Sequence, residues 1–156
     1  MNKKSLLLIA SIMFCASWDA LANPIESVVL NEQSVKGITK QCSRDVPVGI
    51  EGTWRPSKED IANLESRLHL ISNLDAHACC SPGSKVVNIE RYKFQYSGVT
   101  IQGRKQIYIN AFDHDASSEN WDHEPIIWCD GGLSFWGALY DVETMKLHSL
   151  AINGEA

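Results

Sequence analysis

The stretch RYKFQYSGVTIQGRKQIYINAF, residues 91–112, decides the fold. Tyr92, Phe94 and Tyr96 alternate with Lys93, Gln95 and Ser97. That period of two puts successive side chains on opposite faces of a strand and predicts a half-buried strand over 91–97. A connection from Gly98 to Gly103 then leads into 104–112, a second run rich in strand-forming residues.

C-terminal to this pair the strand pattern continues. A polar loop from Asp113 to Pro125 precedes Ile126–Cys129, an Asp130-Gly131-Gly132 turn, and Leu133–Tyr140. A further turn at Asp141–Thr144 leads to Met145–Ile152, and Asn153-Gly154 ends the order. The glycine pair looks like a phosphate cradle, but such loops run into a helix N-terminus. Here a strand follows, so the pair reads as a hairpin turn whose glycines take positive φ at little cost. Phe135, Gly137 and Leu139 share one face of that strand, and Trp136, Ala138 and Tyr140 the other. Gly137 amid large neighbours marks a bulge or bend. Neither face is plainly polar, so the strand is expected to be central. One side is expected under a helix, the other to carry an exposed aromatic patch around Trp136 and Tyr140.

N-terminal to the pair lies one helical pattern. Ser57 with Asp60 approximates a capping box, Pro56 suits the entry, and Ile61, Leu64, Leu68 and Ile71 recur on one face. The helix is expected from Lys58 to about Asn73. Residues 23–53 hold a short strand or arm at Val28-Val29-Leu30 and otherwise loop. The expected fold is therefore α+β: one main helix packed on a four-stranded antiparallel meander, a cystatin-like or NTF2-like roll. Such an analogy carries little functional weight.

The first residues set the compartment. Met1-Asn2-Lys3-Lys4 is a basic start, Ser5–Trp18 is mostly apolar, and Ala20-Leu21-Ala22 offers the small residues a signal peptidase reads. The apolar run is shorter than the roughly 20 residues a spanning helix needs. Acylation at Cys15 is disfavoured by the bulky Phe14 before it. Residues 1–22 are therefore a signal peptide and 23–156 a single domain, periplasmic or secreted, with no membrane span. Loss of Lys3, Lys4 and Asp19 moves the net charge from −5 to about −6. This balance argues against nucleic acid and anionic lipid, which reward basic patches.

Four cysteines remain after residue 22: Cys42, Cys79, Cys80 and Cys129. An even count in an exported chain favours disulfides. A bond between the neighbours Cys79 and Cys80 forces a strained ring, so the expected scheme sends one of them to Cys42 and the other to Cys129. His77 beside Cys79 and Cys80 is an alternative metal corner, which oxidation of the thiols would disarm.

The loop 113–124 concentrates acidic and imidazole groups. His114 and His123, with Asp115 completing the shell, are its metal candidates, although a spacing of nine between the histidines matches no standard zinc pattern. Catalytic constellations are weaker. Cysteines committed to disulfides leave no nucleophile, Ser134 lacks the flanking glycines of a nucleophile elbow, and no pair of carboxylates stands out. No cofactor is implied. Aromatic residues are the remaining signal, because interfaces favour Trp, Tyr and Arg. Trp121 and Asp122 in the acidic loop, with Trp136 and Tyr140 on the strand, are the candidate protein contacts. The competing reading of Trp121 is that it folds back to cover a sheet edge.

Trp54-Arg-Pro-Ser, Gln95-Tyr-Ser-Gly98, Ile107-Tyr-Ile-Asn-Ala-Phe112, Cys129-Asp-Gly-Gly132, Phe135-Trp-Gly137, Tyr140-Asp141 and Asn153-Gly154 occur in this order. The set resembles a group of small exported proteins of Gram-negative bacteria to which no activity is assigned. The resemblance implies a compact bacterial, periplasmic protein and carries over no catalytic residue. The expectation is a non-enzymatic binding or inhibitory module, of immunity type for instance, with another protein as partner. The alternatives are a periplasmic metal-binding protein using 113–124 and a hydrolase of unknown substrate.

Overall fold

The computed structural model describes residues 24–78, 83–116 and 118–155. The expected signal segment, Cys79 and Cys80 lie outside them. Seven strands form one mixed sheet: β1 (Ser27–Val29), β2 (Ile50–Trp54), β3 (His77–Ala78), β4 (Tyr92–Ile101), β5 (Arg104–Asp113), β6 (Phe135–Asp141) and β7 (Lys146–Ile152). Two short helices accompany them, α1 (Val35–Ile38) and α2 (Lys58–Glu65).

β4 to β7 pair antiparallel in chain order. The edges change the architecture. β1 lies parallel to the first half of β4, with Ser27 opposite Phe94, while β2 lies antiparallel to its second half, with Trp54 opposite Gly98. β3 adds a parallel pairing to β7 at the far edge. A main helix on a four-stranded antiparallel meander is therefore not the fold. The sheet is wider and mixed, and no helix among the described residues exceeds the eight residues of α2. None is long and apolar enough to cross a membrane.

The expected long helix stops early for a local reason. Ser57 and Asp60 form the capping box, Ser57 N–H donating to Asp60 Oδ2 at 2.9 Å and Asp60 N–H to Ser57 Oγ at 3.2 Å. At the other end the Asn63 carbonyl is taken by the Ser66 hydroxyl and the Arg67 guanidinium, both at 2.9 Å. Side-chain donors that compete for a helical carbonyl disfavour the next turn. The Arg67 N–H moves to the Leu64 carbonyl, and the chain tightens into a 3-10 turn over Leu68–Asn73. The apolar stripe survives the change: Leu64, Leu68 and Ile71 are all buried. Each is worth about 1.5–3 kcal/mol relative to exposure.

That stripe packs on Phe94, Tyr96, Ile107, Ile109, Trp136, Ala138, Tyr140 and Leu150. The expected aromatic patch is thus the floor of the main core. Trp136 is 0 % exposed and Tyr140 1 %. The opposite face is covered too, by α1 and the chain on either side of it, where Leu30, Val35 and Ile38 meet Val99, Tyr108 and Leu139. At the centre of that second face, however, the sheet presents polar side chains.

Candidate functional site

Gln95 and Asn110 stand opposite each other on β4 and β5 and are buried. The Asn110 amide donates to Gln95 Oε1 at 2.9 Å. A buried amide without partners costs about 1–3 kcal/mol, and here the 121–131 loop supplies them. Ile126 N–H donates to Gln95 Oε1 and Asn110 Nδ2 donates to the Ile126 carbonyl, both at 2.9 Å. Gln95 Nε2 donates to the carbonyls of Glu124, at 2.6 Å, and Trp121. Two side-chain amides thus do for the loop what a neighbouring strand would do with its backbone.

A second layer of polar groups extends this grip. Gln41 Nε2 donates to the Ile126 carbonyl at 3.1 Å, and Trp128 N–H donates to Gln41 Oε1 at 3.4 Å. Arg44, 9 % exposed, spreads its guanidinium over Asn153 Oδ1 at 3.0 Å, the Tyr108 hydroxyl at 3.2 Å, and Asn110 Oδ1. Asn153 Nδ2 reaches the carbonyls of Trp128 at 2.6 Å and Asp130 at 3.1 Å. Cys42 and Cys129 close the arrangement covalently, with Cα atoms 4.9 Å apart. The expected pairing of Cys42 and Cys129 with Cys79 and Cys80 is overturned. The sheet brings the 41–44 segment and the 121–131 loop to the same face, so these two cysteines meet each other.

The restrained loop holds Ile127 and Trp128 outward, 42 % and 52 % exposed. The Trp128 ring lies flat on Phe135, centroids 5.3 Å apart and planes within 1°. Gly131 (φ 96) and Gly132 (φ 52) take the positive φ expected of them. They do not turn a hairpin: Gly131 caps a 3-10 turn, Gly132–Ser134, that runs into β6. Residues 126–129 are irregular rather than a strand. Glu124 and Asp130 are exposed on the same loop, and the Glu155 side chain abuts Gly132.

The other sequence candidates fall elsewhere. Trp136 and Tyr140 are core residues, as above. Trp121 is half-buried, edge-on to Phe112 at 5.9 Å and beneath Lys93 Nζ at 4.9 Å; it folds back on the sheet. Asp122 is exposed and pairs with its neighbour His123 at 3.3 Å. His114 instead faces Glu26 at 3.6 Å. Among the described residues no three His, Cys, Asp or Glu side chains are gathered to hold a metal ion, so His114, His123 and Asp115 do not form a ligand set.

Sequence reading missed Gln41, Arg44, Asn153 and above all Trp128. A signal was present: the polar alternates of β4 and β5 include the uncharged amides Gln95 and Asn110, which suit a buried hydrogen-bonding face better than a solvated one. No family model, curated protein or solved structure matches the chain.

Proposed function

We propose that the protein is an exported, non-enzymatic binding or inhibitory module of the bacterial periplasm that engages another protein through Trp128. The observation that carries this reading is the restraint on an exposed indole. A disulfide at the next residue, hydrogen bonds to its own N–H and carbonyl, and a stacked Phe135 hold it in place. A large aromatic held rigid before contact loses little entropy on binding, and such residues dominate interface energetics. Glu124 and Asp130 beside it, and the net charge of about −6 after residue 22, favour a basic partner.

The test is capture from periplasmic extract on immobilised protein. Wild type is expected to retain a basic protein, more weakly at high salt. Trp128→Ala is expected to lose it while unfolding at the same denaturant concentration as wild type. Failure to retain any partner, or equal capture by the folded Trp128→Ala variant, would overturn the reading.

A further inference from the structure

Phe135 covers one face of the Trp128 indole, with centroids 5.3 Å apart and planes within 1°. Because Phe135 lies beneath that face, the 52 % of Trp128 that is exposed belongs to its opposite face and rim. The electron-rich face of an indole attracts a cation more strongly than that of any other side chain. The other two partly exposed tryptophans meet this attraction from within the chain. Lys93 Nζ lies 4.9 Å from the ring centroid of Trp121, and Lys105 Nζ 4.9 Å from that of Trp54. Among the described residues no lysine or arginine lies over Trp128.

The surroundings are acidic and bring no cation of their own. No Lys or Arg occurs between Lys105 and Lys146, the stretch that holds Trp128 and Asp130. Gly131 lies against the pyrrole edge of the indole, since a Cβ there would sit 3.7 Å from Trp128 Cδ1. Asp130 precedes it in the chain. Gly132 follows it and abuts the Glu155 carboxylate, whose Oε1 a Cβ on Gly132 would meet at 2.8 Å. Asp130 and Glu155 are both exposed, and among the described residues neither forms an ion pair. Ile127, 42 % exposed, adds apolar surface beside the ring.

We infer that, within the protein contact proposed above for Trp128, this face receives an arginine side chain of the partner. The guanidinium stacks on the free face of the indole, Asp130 and Glu155 supply the countercharge, and the methylene stem lies along Ile127. Arginine suits the place better than lysine. Its planar group stacks on an aromatic face while its N–H groups, in the same plane, remain free for carboxylates. It is also more weakly hydrated than an ammonium, so leaving water costs it less.

The test is an NMR titration of the isotopically labelled protein with blocked, glycine-flanked tripeptides. Their central residue is arginine, lysine, leucine or citrulline, the last keeping the planar shape of arginine without its charge. The readout is the indole N–H signal that Trp128→Phe removes. The arginine peptide is expected to shift it saturably, about fivefold more tightly than the citrulline peptide, the scale of an exposed cation–π contact. The shift is expected to weaken at high salt. Asp130→Asn/Glu155→Gln is expected to weaken binding about threefold, and each single substitution serves in turn should the double variant not fold. The inference is overturned if the arginine peptide leaves the signal unmoved at its highest soluble concentration. It is equally overturned if the lysine, citrulline or leucine peptide binds as well, or if the folded acidic-site variants bind as wild type does. Trp128-dependent capture of a periplasmic protein together with a silent arginine peptide would remove this inference and leave the reading of Trp128 as a protein contact standing. An arginine peptide that binds while extract yields no partner would remove that reading and leave the guanidinium site.

Discussion

Asn153, the residue after the last strand, donates from its side-chain Nδ2 to the carbonyl of Trp128 at 2.6 Å and that of Asp130 at 3.1 Å, while its side-chain Oδ1 accepts from Arg44 at 3.0 Å. One buried amide therefore ties the end of the chain, the exposed indole and a buried guanidinium together. Asn153→Ala would leave two carbonyls and part of Arg44 without partners, at a cost of about 2–3 kcal/mol. Urea denaturation gives the stability, and acrylamide quenching of tryptophan should rise as the loop loosens. A loss below about 0.5 kcal/mol, the ordinary range of surface changes, would show that Asn153 does not hold the loop.

The Cys42–Cys129 bridge spans a sequence separation of 87. Closing so long a loop restricts the unfolded chain, and losing the bridge is expected to cost about 2–5 kcal/mol. Non-reducing peptide mapping should recover the Cys42 and Cys129 peptides joined to each other. Recovery of either one joined to Cys79 or Cys80 would contradict the arrangement, as would a Cys42→Ser/Cys129→Ser double variant as stable as wild type.

Gly137 and Gly52 offer a matched pair. A Cβ on Gly137 would meet the Tyr108 hydroxyl at 2.7 Å and ring carbons at 3.1 Å, in a buried strand. One on Gly52 would meet nothing within 4 Å. Gly137→Ala is therefore expected to lose about 1–3 kcal/mol by overpacking, and Gly52→Ala to be neutral or slightly stabilising. Thermal melts of the two variants check this, and similar melting points would refute the close approach at Gly137.

A buried carboxyl and a half-buried imidazole make stability fall with acid in separate windows. Burial pushes the Asp141 carboxyl up, but the Thr144 N–H at 2.8 Å, its hydroxyl at 2.9 Å, and Arg104 at 2.7 Å outweigh it, so its pKa lies below the usual 3.8. Its contribution is present above the unfolded-state value and is lost as pH falls through the folded one. Burial likewise holds the His148 imidazole below 6.5, with Asp141 opposing and Arg104 reinforcing the shift. That contribution is full above the unfolded value, about 6.5, and drains away as pH falls through the lowered one. His148→Gln should flatten the stability profile just below neutral pH and Asp141→Asn the profile at strongly acid pH. Urea midpoints measured across both ranges decide it; profiles parallel to wild type would refute the assignment.

Much of the sheet was legible locally. Alternation at 92–97 and the β-forming run after Gly103 mark β4 and β5, and the Ser57–Asp60 cap marks the start of α2. The helix end was not legible, because it depends on the Ser66 and Arg67 side chains turning back to the Asn63 carbonyl. Nor were the edge strands β2 and β3, and for β1 a short strand or arm at Val28–Leu30 was legible but not its pairing with β4. β1, β2 and β3 are two to five residues long and carry little periodicity of their own. They exist because β4 and β7 offer unpaired backbone groups, and a strand's hydrogen bonds are satisfied by distant chain rather than by its neighbours in sequence.

The site divides the same way. Composition and order along the chain determined that Cys42 and Cys129 belong to an acidic protein, that Gly131 and Gly132 need positive φ, and that Gln95 lies on the strand face opposite Tyr92, Phe94 and Tyr96. Which cysteine meets which, and whether Trp121, Trp128 or Trp136 faces outward, was decided only by the tertiary structure. A period of two says that alternate residues face opposite ways but not which way is covered. Here both faces are covered, one by the apolar stripe of α2 and the 3-10 turn after it. The other is covered by a loop that the amides of Gln95, Asn110 and Asn153 grip through its backbone, leaving the side chain of Trp128 to the solvent.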